Sequence, residues 1–285
     1  MNRSRLQIAS ETLKAFDQSK VRHGQDMACK NEQKRVSLGI PAIDEKIEGG
    51  LAASALHEVR CSYARDVGAA AGFVLSLIST LKKNDERRII WIIDPAAAIE
   101  CGSLFPAGLA QFGIDPARLF FVKACNLQKA MWAADEAAGC NDLAAMVIQI
   151  KGNPLKFDMT ATRRLMLRSK QSGVLSLILR QSGEEEATVA DTRWHVGVEP
   201  SLKDENYHRG LGRMRHALTL ERNRNGQLGK WPVTWNHKER VFEYAAQTSP
   251  SKITTTNSIH CLYPSANRPH SADEMGQVVA IGQAS

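Results

Sequence analysis

The stretch LHEVRCSYARDVGAAAGFVLSLI, residues 56–78, reads as a short apolar strand, a polar break and an apolar helix. From Val67 to Leu81 apolar residues surround nearly the whole helical turn. That pattern predicts a helix buried against a sheet, because a helix lying on water keeps one polar face. RIIWIID, residues 88–94, is a continuous apolar run closed by an acid, the mark of an interior parallel strand, and Pro95 stops it. A helix over 102–112, a short strand over 119–122, a helix over 127–138 and a buried strand over 143–150 follow in order. Asp158 or Thr160 caps a further helix ended by Gly173, and 174–180 is the next strand. Strands alternating with helices at these lengths call for an α/β sheet covered on both faces.

The flanks differ in character. Residues 1–35 are polar and of mixed charge, with a helix start at Ser10 that places Leu13 and Phe16 on one face. Pro41 and the pair Gly49-Gly50 break the chain before a strand over 55–59. Beyond residue 190, TRWHVGVEP, RHALTLERNRNGQLGKWPVTWN and RVFEY alternate as strands do, and Asn225-Gly226 signals a hairpin turn. The chain then becomes rich in Ser, Thr, Asn and Pro, which predicts a disordered tail. The expected organisation is an N-terminal segment (1–35), a core (36–190), a β-rich continuation of it (191–244) and a tail (245–285).

Composition narrows the class only a little. Apolar residues at 43% and charged residues at 24% indicate a globular body. No run approaches the roughly 18 apolar residues of a membrane span, and the N-terminus lacks a cleavable signal, so a cytoplasmic protein is expected. The six cysteines form no CxxC pair, and no His, Cys and Asp cluster has metal-ligand spacing. Lys and Arg exceed Asp and Glu by 37 to 30, a formal +7 compatible with nucleic acid nearby.

The strand–break–helix at 56–78 is where a phosphate-binding loop would sit. Such a loop needs glycines that turn backbone amides toward phosphate, a lysine, and a Ser or Thr hydroxyl for magnesium. RCSYARDVG, residues 60–68, has one glycine, Gly68, and no Gly-Lys pair. Asp66 puts negative charge at the first helical turn, where it stabilises the helix end and repels phosphate. The strand that should end in a magnesium-supporting acid carries neutral Gln149. Arg60 or Arg65 could still hold an anion, and Asp94 is either a polarising acid or a helix cap. These features disfavour ATP hydrolysis, and neither a cofactor nor a metal is expected.

In order and character, ALHEV, IIWIIDPAAAIE, GLAQFGIDPARLFFVKACN and LAAMVIQI resemble a RecA-like recombinase core. LGIPAIDEKIEGGL, DMTATRRLMLRSKQSGV, TRWHV, GLGRMRHALTLERNRNG and WPVTWN are similar to the ImuA family of damage-inducible mutagenesis proteins, over residues 36–244. The resemblance implies a RecA-like three-layer α/β domain with a mainly parallel central sheet and a C-terminal β extension. It also implies a non-catalytic accessory role in translesion synthesis during the SOS response. The implied partners are an ImuB-like relative of Y-family polymerases and an error-prone C-family DNA polymerase, with RecA as a further one, and DNA touched directly or through them.

Two basic clusters are candidate contact surfaces. Arg163, Arg164, Arg168 and Lys170 follow one another on the helix after Asp158, with Arg164 and Arg168 on one face. Arg209, Arg213, Arg215, Arg222 and Arg224 precede Trp231 and Trp235, and together suggest stacking and phosphate contact, a protein interface, or Trp235 packed inward with Trp231 near the turn. The acidic run Glu184, Glu185, Glu186 disfavours filament-style DNA binding through the loop after residue 180. The rival functions are an atypical ATPase and a stand-alone single-stranded DNA-binding module.

Overall fold

A computed structural model describes residues 35–82, 85–201, 213–224 and 226–245. The expected N-terminal helix from Ser10, Arg209 and the tail beyond Ala245 lie outside the described residues. Strand β1 (Arg35–Val36), helix α1 (Pro41–Asp44) and strand β2 (Leu51–Ala52) form an entry layer, in which β1 and β2 pair antiparallel. That pairing needs Gly50: its φ is 145°, and a Cβ there would lie 2.3 Å from the Val36 carbonyl oxygen.

The main body alternates as the apolar pattern predicts. In order come β3 (Leu56–Cys61), a 3-10 turn (Ala64–Asp66), α2 (Val67–Leu81), β4 (Arg88–Ile93), α3 (Pro95–Cys101), α4 (Pro106–Gln111) and β5 (Leu119–Lys123). They are followed by α5 (Leu127–Ala138), β6 (Leu143–Lys151), α6 (Met159–Ser172) and β7 (Leu175–Gln181). Four further strands follow: β8 (Thr192–Glu199), β9 (Arg215–Asn223), β10 (Gly229–Asn236) and β11 (Val241–Tyr244).

Nine strands make one mixed sheet in the order β11-β10-β9-β8-β3-β7-β6-β4-β5. From β8 to β5 every neighbouring pair is parallel; β8 to β11 pair antiparallel as a meander. The central strands are apolar on both faces because both faces are covered. Along β6, Ala145 and Val147 face the cluster built on α2, while Met146, Ile148 and Ile150 face the cluster with α5 and α6. Phe73 of α2 anchors the first cluster, with its ring 5.8 Å from Trp194 and 5.6 Å from Phe242.

Two expectations change. The helix expected over 102–112 is the shorter α4, opened by Pro106, and a separate helix not expected, α3, precedes it and ends at Gly102 with φ 75°. The stretch Ala64–Leu81 also has the length and composition of a membrane span, contrary to the sequence reading. Ten residues of α2 are buried, so its apolarity is that of a helix packed on a sheet.

Candidate functional site

In an open α/β sheet, ligands bind where connections from neighbouring strands leave in opposite directions. Here that point lies between β4, whose chain moves outward to β5, and β6, whose chain returns toward β7. The carboxyl ends of both strands carry the residues singled out from sequence. Asp94 caps α3, its Oδ1 accepting from Ala96 N at 3.0 Å, while its Oδ2 accepts from Lys151 N at 3.1 Å. The carboxylate therefore fastens the two strand ends together and is almost fully buried.

Gln149 occupies the position expected for a metal-supporting acid. Its Oε1 accepts from Trp91 Nε1 at 2.9 Å, and its Nε2 donates to Gln181 Oε1 at 3.2 Å and approaches Cys101 Sγ at 3.1 Å. Gln181 in turn donates to Glu100, which faces Lys151 Nζ at 3.6 Å. The amide accepts from the indole N–H and donates to a neighbouring amide oxygen, a pairing that an acceptor-only carboxylate could not make. Gln149 is thus the centre of a buried polar chain. Burial and the neighbouring acid Glu100 push the Cys101 thiol up, against the amide contact that lowers it.

The connection between β3 and α2 forms no cradle. Tyr63 is extended, Asp66 N donates to Tyr63 O at 3.0 Å, and the chain enters α2 through a single 3-10 turn. Asp66 makes no capping bond and lies 3.9 Å from Arg65 Nε; the Arg65 guanidinium sits 4.4 Å from the centre of the Tyr63 ring. Gly68 has an open Cβ position, so no close backbone approach demands a glycine there. Arg60, expected as an anion holder, is committed elsewhere: Nε donates to Glu221 Oε2 at 2.7 Å, Nη2 pairs with the other oxygen, and Nη1 donates to Gly183 O at 3.0 Å. The adjoining cavity, about 260 Å³, is lined mainly by apolar residues including Val67, Ile93, Phe112 and Phe121, and offers little to a triphosphate.

Sequence reading allowed Glu58 an arginine partner but named neither the arginines nor the charge cluster that the fold builds here. Glu58 of β3 is fully buried with Arg180 Nε at 3.0 Å and Arg193 Nε at 3.5 Å. The acidic run closes over it: Glu186 lies 3.8 Å from Arg180, Glu185 lies 3.6 Å from Arg193, and Asn153 holds Glu184 and Glu186. The run is therefore a strap across the sheet's carboxyl end. The advance signal was an acid, Glu58, open to an arginine partner, and arginines inside otherwise apolar strands.

The basic clusters separate into spent and open cations. Arg164 pairs with Asp135 at 2.7 Å, and Arg168 reaches Asp135 and Glu136 at 3.5 Å, so both tie α6 to α5. Arg163 is exposed. Arg213 pairs with Glu243 at 2.8 Å, Arg215 with Glu199 at 3.1 Å, and Arg224 lies 3.6 Å from Asp191; Arg222 is exposed. The expected stacking surface is corrected: Trp231 and Trp235 are core side chains, 8% and 2% exposed, against Trp194, Phe112 and Phe242. Strand alternation puts both on the face of β10 that covers α2, and among the described residues the arginines of this cluster have no aromatic partner.

His57 is buried and neutral, its imidazole pKa lowered chiefly by burial. Its Nε2 faces Ala52 O at 2.9 Å and must donate, so Nδ1 accepts from the Thr192 hydroxyl at 2.9 Å. Among the described residues no group of three His, Cys, Asp or Glu converges as metal ligands would.

No family model matches this sequence. Protein ImuA of Caulobacter vibrioides, from strains NA1000 / CB15N and CB 15, is 30% identical over 209 residues, covering 69% of this chain and 81% of the relative. With that identity and coverage, the chain belongs to the ImuA family.

Proposed function

We propose that this protein is a non-catalytic adaptor in error-prone translesion synthesis. It would join an ImuB-like protein and an error-prone C-family polymerase in the cytoplasm during the SOS response. Family membership supports the general part, an accessory role in DNA-damage mutagenesis. A RecA-like three-layer core is supported by the two helical layers on the parallel half of the sheet and the antiparallel continuation beyond β8. The observation that carries the adaptor reading is the fate of the nucleotide crevice. Gln149 and Asp94 are bound into internal hydrogen bonds, Arg60 is paired to Glu221, and a 3-10 turn replaces the phosphate loop. A motor needs those groups free to meet phosphate and magnesium.

The test is co-purification with the ImuB-like partner at physiological salt, using the wild type, Arg163→Glu and Arg222→Glu. Both arginines are exposed, so reversal leaves internal ion pairs intact, unlike reversal of Arg164 or Arg168. Stable association, lost on one of the reversals, is expected. Absence of association, or magnesium-dependent ATP turnover by the pure protein, would overturn the reading.

A further inference from the structure

At the opposite end of the sheet, where β3 begins, a polar recess of about 340 Å³ lies between Arg35, Lys170, Arg224, Asp191, His57 and Asn223. We propose that this recess is a phosphate-binding site that takes a phosphodiester of a DNA strand. It goes beyond the adaptor reading and relies on it only for the source of the phosphate.

Three cations from separate parts of the chain converge there: Arg35 from β1, Lys170 from the last turn of α6, and Arg224 from the end of β9. One lining carboxylate, Asp191, opposes them, and it lies 3.6 Å from Arg224. His57 adds no charge, because burial keeps its imidazole neutral and both its nitrogens are already bonded. The recess is therefore net positive. It also has an excess of donors. Arg35 spends only Nη1, on the Ile47 and Gly50 carbonyls at 3.0 Å, and its remaining N–H groups face at most a half-exposed Glu48 at 3.5 Å. Lys170 makes no ion pair or hydrogen bond among the described residues, which leaves three N–H groups open. Ala52 O is taken by His57, and among the lining side chains the Asp191 carboxylate is the one acidic acceptor, its Oδ1 buried without a hydrogen bond.

A concave, donor-rich, cationic recess suits a compact anion with several acceptor oxygens, which is a phosphate group. An acidic peptide would be met equally well by a flat basic surface and needs no recess. With Trp231 and Trp235 in the core, no ring among these residues stacks on bases, so the contact is to backbone and indifferent to sequence.

The experiment measures binding of a fluorescein-labelled single strand and duplex to the full chain by anisotropy, between about 50 and 200 mM salt. It compares wild type, Lys170→Ala, Arg224→Ala, Lys170→Arg and, as control, Lys156→Ala, with thermal melts for folding. Lys156 precedes α6, about 20 Å along its axis from Lys170. Expected are on the order of tenfold weaker binding for each recess alanine variant and a salt slope shallower by about 1, with Lys170→Arg and Lys156→Ala unchanged. DNA binding that ignores both alanine variants overturns the site while sparing DNA association. If the wild type binds no DNA but inorganic phosphate raises its melting temperature and not that of the variants, the recess is a phosphate site and the DNA source is refuted. If neither ligand registers and the variants lose only a protein partner, the site belongs to an acidic peptide and the proposal fails. None of these outcomes decides the adaptor reading, which rests on co-purification.

Discussion

Replacing Glu58 by Gln tests the buried ion cluster that anchors the strap. Glu58 lies 3.0 Å from Arg180 Nε and 3.5 Å from Arg193 Nε, and all three side chains are 3% exposed or less. At an effective dielectric near 20, each contact is worth roughly 5 kcal/mol of Coulomb attraction. Desolvation costs several kcal/mol per ion, so the net worth of the intact cluster is small. The mutant is not symmetric with that balance. It keeps two buried guanidiniums and removes their nearest counter-charge, a change that typically destabilises by about 3–5 kcal/mol. Glu185 and Glu186 stand at 3.6 and 3.8 Å but are largely open to water, so they relieve only part of the loss. Urea unfolding followed by tryptophan fluorescence, with Trp194 adjacent to Arg193, reads the change. Glu186→Gln serves as the exposed control, expected to move stability by less than about 1 kcal/mol. Replacing the trio together with Leu and Met at matched volume should be close to neutral. A Glu58→Gln variant within about 1 kcal/mol of wild type would refute the reasoning.

Gln149→Glu should destabilise by about 2–3 kcal/mol in the same assay, because its donors to Gln181 and Cys101 disappear, and should bring no magnesium-dependent ATPase. His216 is held neutral, its pKa lowered to about 4 mainly by burial and secondarily by His237. The unfolded chain takes up that proton first, so this stability is complete above about pH 6.5 and falls by roughly 3 kcal/mol as pH drops to about 4. His216→Phe should remove one proton's worth of that acid slope in denaturation at stepped pH; His57 and His195, also lowered by burial, keep a remainder. Trp231→Ala should cost about 3–5 kcal/mol in unfolding yet leave DNA affinity unchanged once folding is matched, since the ring lies in the core.

Much of the fold was legible because hydrophobic periodicity reports burial. The all-round apolarity of 67–81 gave α2 with its bounds, and the unbroken run before Asp94 gave β4. The misreading at 95–112 came from punctuation. Pro95 after Asp94 stops a strand, but it also starts a capped helix with Pro at its first position. The tryptophans of β10 were undecided because period-two alternation states that Trp231, Val233 and Trp235 share a face without saying which face is inside. Pairing with Leu218 and His216 on β9 decides it.

For the site, the sequence alone established a loss: no glycine cradle, no lysine, and no acid where magnesium needs one. Those absences are local, and a local chemical requirement can be checked residue by residue. What replaced the missing groups was decided by tertiary structure. Arg60 meets Glu221 across 161 positions, Glu58 meets Arg180 across 122, and Lys170 meets Arg35 and Arg224 around one recess. A charged side chain carries no signal of its partner along the chain, since attraction acts through distance in space and only the folded sheet sets those distances.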